Sequence, residues 1–155
     1  MAINDGLPVR LTSIIIYGCC GLFEFICFVV LICYTTSICV TARENSTRIW
    51  WSMNCIMPQI VPDLVFAASG FYFEKHFYAP LGGIYNISMA TLSIFAGIFA
   101  FSSFTGCGNP SQVLTTVAGI FALLAGGLHI ANTFMVKRSL EGDDKLFGMS
   151  EIDDD

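Results

Sequence analysis

Residues 11–40 run for thirty positions with a single charged side chain, Glu24. About 20 apolar residues in a helix already cross the roughly 30 Å hydrocarbon core of a bilayer. Three further runs follow, at 50–73, 81–104 and 113–136, and the last two hold no charged residue other than the titratable His129. Composition closes off the alternatives. The chain has 155 residues, 55% hydrophobic and 12% charged, with a mean hydropathy of +0.70. A soluble domain carries about 25% charged residues, and a globule of this size lacks the interior to hide so much apolar surface. Disorder, a collagen-like chain and a small disulfide-stapled domain are excluded by the same runs. A net charge of −5 with only seven Lys and Arg excludes nucleic acid as a partner, because a phosphate backbone requires a basic face. The first run is about twice the length of a signal-peptide core, so it reads as a retained span.

The expected fold is an all-α integral membrane protein. It is an antiparallel four-helix transmembrane bundle over residues 11–136, with spans at 11–40, 50–73, 81–104 and 113–136. The connections 41–49, 74–80 and 105–112 are short, which makes consecutive spans antiparallel neighbours. The runs are continuous rather than alternating in polarity, which argues against a β-barrel. The second span is the least apolar, holding Asn54, Gln59, Asp63 and two prolines, Pro58 and Pro62, that predict a kink. Trp50, Trp51, Tyr72 and Tyr78 fall near span ends, at headgroup level. Basic residues set the orientation. Arg10, Lys75, Lys137, Arg138 and Lys145 share the side of the termini, against Arg43 and Arg48 on the other. Residues 1–10 and the tail 137–155 are therefore expected in the cytosol.

Lipid offers no hydrophobic drive between helices, so packing rests on small and polar residues. Ala118, Ala122 and Gly126 recur at four-residue steps, with Thr115 and Gly119 on an adjoining line. Ser93 and Gly97 sit beside Ala96 and Ala100. Ser13, Tyr17, Cys20, Gly21, Glu24 and Cys27 share one face of the first span. These seams are expected to close the bundle on itself, with a homo-oligomer interface as the alternative.

An ionisable group deep in a membrane costs at least about 2.5–3.5 kcal/mol and calls for an explanation. Glu24 and Asp63 are two such groups, and the hairpin places Asp63 level with about Cys27. One reading is a carboxylate pair sharing a proton, as in a small proton-coupled transporter or channel accessory subunit. The other is an acid bonded to Gln59, Asn54 or Tyr17, tying helices together. The second is favoured, since no Lys or Arg lies within the spans to complete an ion path. Asn86, His129 and Asn132 suggest a second polar layer, nearer the cytosolic side, in which His129 is a structural partner.

No metal or cofactor is expected. His76 and His129 are the only histidines, and His76 lies in a connection, so haem ligation by two histidines and a His-rich metal site both fail. The seven cysteines at 19, 20, 27, 33, 39, 55 and 107 form no Cys-x-x-Cys pair. Cys107 lies in a turn on the outer side, where pairing with Cys55 or Cys39 is open, and Cys19-Cys20 is an acylation candidate. No nucleophile elbow, phosphate-binding loop, dinucleotide fingerprint or zinc-protease motif occurs, so no enzymatic activity is expected. The sequon Asn45-Ser46-Thr47 faces outward as a glycosylation candidate. The tail from 139 to 155 holds seven acids against Lys145 and reads as solvated and disordered, with Ser150 as a candidate phosphorylation site.

Four short-looped spans with internal termini and an acid in the first span form one pattern. A second is Gly82-Gly83-Ile84-Tyr85-Asn86 leading to Ala118-Gly119-Ile120-Phe121-Ala122 and His129-Ile130-Ala131-Asn132. Together these resemble the MARVEL-like four-span membrane proteins and the small four-span proteins of invertebrate septate junctions. Claudins fit less well, because the first outer loop is nine residues and lacks their tryptophan–cysteine signature. The resemblance implies a non-enzymatic role in junction assembly, membrane apposition or trafficking. The partners would be the bilayer and other membrane proteins held laterally, at the plasma membrane of cell contacts or in endomembrane vesicles.

Overall fold

In the computed structural model, residues 6–35, 43–71, 79–103 and 109–148 are described. They form four helices: α1 (Gly6–Thr35), α2 (Arg43–Ser69), α3 (Ala79–Ser102) and α4 (Asn109–Gly148). Proline opens three of them, as Pro8, Pro80 and Pro110 in the first turns of α1, α3 and α4. A first-turn proline loses nothing there, since its missing N–H would have no helical acceptor. Within α2 the helix runs unbroken through Pro58 and Pro62, which leaves the carbonyls of Asn54 and Pro58 without their usual donors. The last turn of α2 closes with Gly70 N–H donating to the Phe66 carbonyl at 3.0 Å.

Three helices contain stretches long and apolar enough to cross a membrane: Leu11–Thr35, Leu81–Ser102 and Gln112–Met135. They mark the chain as a helical membrane protein. The helix limits differ from expectation in two informative ways. α2 begins at Arg43 rather than near Trp50, so the turn before it lies earlier in the chain. Gly21, not Cys27, therefore faces Asp63; a methyl group on Gly21 would sit 3.5 Å from Asp63 Cβ. α4 continues through residues 139–148, so the first half of the acidic tail is helical rather than disordered. Lys137 and Arg138 do not end the helix, and neither does Gly142, since a glycine inside a helix costs only about 1 kcal/mol and does not forbid helical backbone.

The helices close a ring in which α1 packs on α2, α2 on α3, α3 on α4 and α4 on α1. Each neighbouring pair is antiparallel. Contacts that prove it run from Gly70–Ile14 to Gly21–Leu64 between α1 and α2, and from Gly97–Gly119 to Gly126–Ala90 between α3 and α4. Ser52 to Ala96 and Tyr85 to Asp63 set the order of α2 and α3. Ser13 to Asn132 and Cys20 to Ala125 do so for α1 and α4. Among the described residues, the small-residue seams lie inside the ring: Ala96, Ala100, Ala118 and Ala122 join Cys27, Leu31, Tyr34, Ile49 and Ile56 in one buried cluster.

α3 and α4 approach each other closely at Gly97. A methyl group on Gly97 would stand 3.0 Å from Leu123 Cδ2 and 3.3 Å from the Gly119 carbonyl oxygen. Leu123 has room to turn, but the carbonyl belongs to a helix backbone and does not. Gly97→Val is therefore expected to push the two helices apart and to lower stability by about 1–3 kcal/mol. Thermal melting of the purified protein in detergent tests this, and an unchanged midpoint would contradict the close contact.

Candidate functional site

The interior has two halves. Toward the α1–α2 and α3–α4 turns it is apolar, built on Leu31, Tyr34, Ile49 and Ile56. Toward the other end it is polar. Ser93 Oγ donates to Gln59 Oε1 at 2.9 Å, and Gln59 Nε2 donates to the Cys55 carbonyl at 2.5 Å. Beyond that bond lie Glu24, Asp63, Asn86, His129 and Asn132, all fully buried. They come from all four helices and meet as one cluster rather than two layers. The levels coincide because the register of α2 carries Asp63 past Glu24 toward the end where Asn86 and His129 face each other.

His129 is the hub. Its Nδ1 lies 3.0 Å from Asn86 Oδ1, and its Nε2 lies 3.4 Å from Glu24 Oε1 and 3.2 Å from Asp63 Oδ2. The ring's protonation pattern follows from a backbone group. Asn86 Nδ2 donates to the Gly82 carbonyl at 2.7 Å and to the Tyr17 hydroxyl at 2.8 Å. A carbonyl only accepts, so the amide nitrogen must face Gly82 and the amide oxygen must face the imidazole. His129 Nδ1 therefore carries a proton and donates. Asn132 Nδ2 donates to the same oxygen at 3.3 Å, and Ser13 Oγ in turn donates to Asn132 Oδ1 at 3.0 Å. Nε2 is left to the acids, as a lone pair or as a second N–H.

The two carboxylates are held unequally. Tyr85 donates its hydroxyl to Asp63 Oδ1 at 2.6 Å. Asp63 Oδ2 approaches His129 without hydrogen-bond geometry, and among the described residues neither it nor Glu24 Oε2 has a hydrogen-bond partner. Buried oxygens in that condition are rare. The rings of Tyr17 and Tyr85 flank Phe66, with centroids 5.3 and 4.4 Å from it. This aromatic wall covers the cluster between α1, α2 and α3. Charge completes the description: one imidazole supplies at most one positive charge against two carboxylates, so a neutral centre needs one further proton or a bound cation.

Several expected partners are replaced. Gln59 bonds Ser93 and Cys55 rather than either acid, and Asn54 is exposed with its amide on the Trp50 carbonyl at 2.7 Å. Tyr17 joins the cluster, but through Asn86. Tyr85 and Cys20 were not anticipated as neighbours of the acid and the imidazole. Cys20 lies on the same face of α1 as Glu24, which was the available signal for it; for Tyr85 the signal was its single-step separation from Asn86. The Cys55 thiol is free and half-buried, while Cys107, Cys39 and Ser150 lie outside the described residues. Asn45 sits in the first turn of α2.

Fold and site together define a helical membrane protein that encloses a cluster of polar side chains contributed by every helix, Glu24, Asp63 and His129 among them ionisable. Comparisons with protein-family models, with curated proteins and with solved structures return no match to this chain.

Proposed function

We propose that the chain is a non-enzymatic four-span membrane protein, with both termini in the cytosol, that organises cell–cell junctions of the septate type through lateral partners. The observation that carries the reading is the inverted polarity of α2, the one helix whose composition leaves its membrane placement open. Its Gln59 and Asp63 are fully buried, whereas Met57 is 61% and Val61 65% exposed, with Leu64, Val65, Trp50 and Trp51 also outward. A helix that turns its acid and its glutamine to its neighbours and its large apolar groups outward is suited to lipid, where outward apolar surface costs nothing. With α2 spanning, four passes put both termini on one side, and the excess of Lys and Arg there selects the cytosol.

Lateral action follows from size. Only positions 36–42, 70–78 and 103–108 connect the helices, too few to build an adhesive domain. The surface left for recognition is the outward face of the helices, which includes Phe25, Phe95 and Phe134. Two measurements test the reading. Tags at either terminus are expected to be protected in intact cells, and a tag in the connection 36–42 to be accessible. In a polarised epithelium the tagged protein is expected at lateral contacts, and its depletion to make the sheet leak tracer. A vesicular distribution with an intact barrier would move the role to trafficking, and pH-dependent flux into vesicles holding the purified chain would replace it with transport.

A further inference from the structure

The polar cluster has a feature that neither lateral partnering nor helix packing accounts for. Cys20 Sγ, a carboxylate oxygen of Asp63 and a ring nitrogen of His129 all lie within 4.8 Å of one another, and all three residues are buried. They come from α1, α2 and α4. We propose that these three residues are the protein ligands of a tetrahedral site for one divalent first-row transition-metal ion, of which zinc is the best match, with the fourth position left to a non-protein ligand and Glu24 beside the site.

Four independent features support the assignment. The first is spacing. Metal–ligand bonds of about 2.0–2.1 Å to nitrogen and oxygen place tetrahedral ligands about 3.3–3.4 Å apart. His129 Nε2 stands 3.2 Å from Asp63 Oδ2 without hydrogen-bond geometry, the length of such an edge. The second is the condition of the Asp63 carboxylate: among the described residues its buried Oδ2 has no hydrogen-bond partner, and a cation held there would satisfy it. The third is the outer shell. A metal-binding histidine donates its other ring N–H to an acceptor, and a ligating carboxylate is itself hydrogen-bonded. Asn86 holds Nδ1 of His129, with its own orientation set by the Gly82 carbonyl, and Tyr85 holds Oδ1 of Asp63. Both arrangements direct the remaining donor atom inward. The fourth is ligand chemistry. One thiolate, one imidazole and one carboxylate suit a borderline ion such as zinc better than magnesium or calcium, which take oxygen ligands.

The charges work out as follows. Binding releases the thiol proton of Cys20 and any proton held by the acids to solvent. The ion's two positive charges then face two negative ligands, the Cys20 thiolate and the Asp63 carboxylate, which shares its charge with the Tyr85 hydroxyl. The ion and its ligands are then neutral overall, whereas two carboxylates and an imidazolium carry a net negative charge. The ion would fasten α1, α2 and α4 together at the level where their packing is polar. The inference stands whether or not the protein gathers lateral partners.

The test uses the full chain, purified in detergent, stripped with chelator and titrated with cobalt(II), whose spectrum reports geometry and ligands. One cobalt per chain is expected, with the visible absorption of a tetrahedral site and a thiolate-to-cobalt charge-transfer band, both lost on adding zinc. Cys20→Ser is expected to remove the charge-transfer band. Tyr85→Phe keeps the ring and is expected to weaken cobalt binding 10- to 100-fold, as loss of an outer-shell partner does. His129→Ala is expected to abolish binding. A helical, monodisperse wild-type protein that takes up no cobalt would overturn the proposal, and so would a spectrum unchanged by Cys20→Ser.

Discussion

His129→Leu is expected to be the most damaging single substitution in the chain, lowering stability by about 3–5 kcal/mol. It removes the group that both acids face and leaves Glu24 and Asp63 buried with no counter-charge, the situation in which loss of one partner costs most. It also strips Asn86 Oδ1 of its shortest donor. Leucine is close to histidine in volume, so a cavity contributes little. The substitution is read from thermal unfolding in detergent and from the yield of monodisperse protein. Adding Glu24→Gln and Asp63→Asn to the same chain is expected to recover more than half of the loss, because neutral amides need no counter-charge. If the triple variant melts no higher than His129→Leu alone, the damage is a matter of packing and the electrostatic account fails.

Asn86→Leu ranks second, at about 2–3 kcal/mol. One side-chain amide donates to the Gly82 carbonyl and the Tyr17 hydroxyl and accepts from His129 and Asn132. Single hydrogen bonds between helices in a bilayer are worth only about 0.6 kcal/mol on average. Here, however, removal strands the imidazole N–H and the Asn132 amide within a fully buried cluster. Asn86→Asp is the informative control. It keeps an acceptor for His129 but places a third acid in the cluster and loses the donor to Gly82. It is expected to fall at or below Asn86→Leu; a variant as stable as wild type would mean that the amide's orientation does not matter.

Much of this architecture could be read along the chain. The uncharged runs demanded helices, because in lipid each backbone N–H and C=O must be satisfied within its own segment. The faces could be read too: Tyr17, Cys20, Gly21, Glu24 and Cys27 share a stripe on α1, and all five are buried. Glu24, Asp63, Asn86, His129 and Asn132 stood out because each is costly where it lies. Their arrangement was less legible. Depth matching placed Asp63 beside Cys27, since hydropathy located the start of α2 at Trp50 when helical backbone begins at Arg43. A shift of one or two turns at a helix start moves every partner of that helix, and apolar content does not report where a polar first turn begins.

The metal ligands were illegible for a different reason. Searches for ligand spacing assume donors within one turn or one loop, such as Cys-x-x-Cys, and the sequence contains none. Cys20, Asp63 and His129 lie on three separate helices, so no local pattern connects them. By itself the sequence determined that the chain is helical and membrane-embedded, and which side chains are too polar to face lipid. Those properties are set residue by residue through the cost of exposing polar groups to hydrocarbon. Only the tertiary structure decided that the polar side chains form one cluster, that His129 is its hub and that the Gly82 carbonyl fixes the imidazole's donor. Those outcomes depend on rotation and register between helices, which Gly97, Gly119 and Gly126 set through close contacts across α3 and α4.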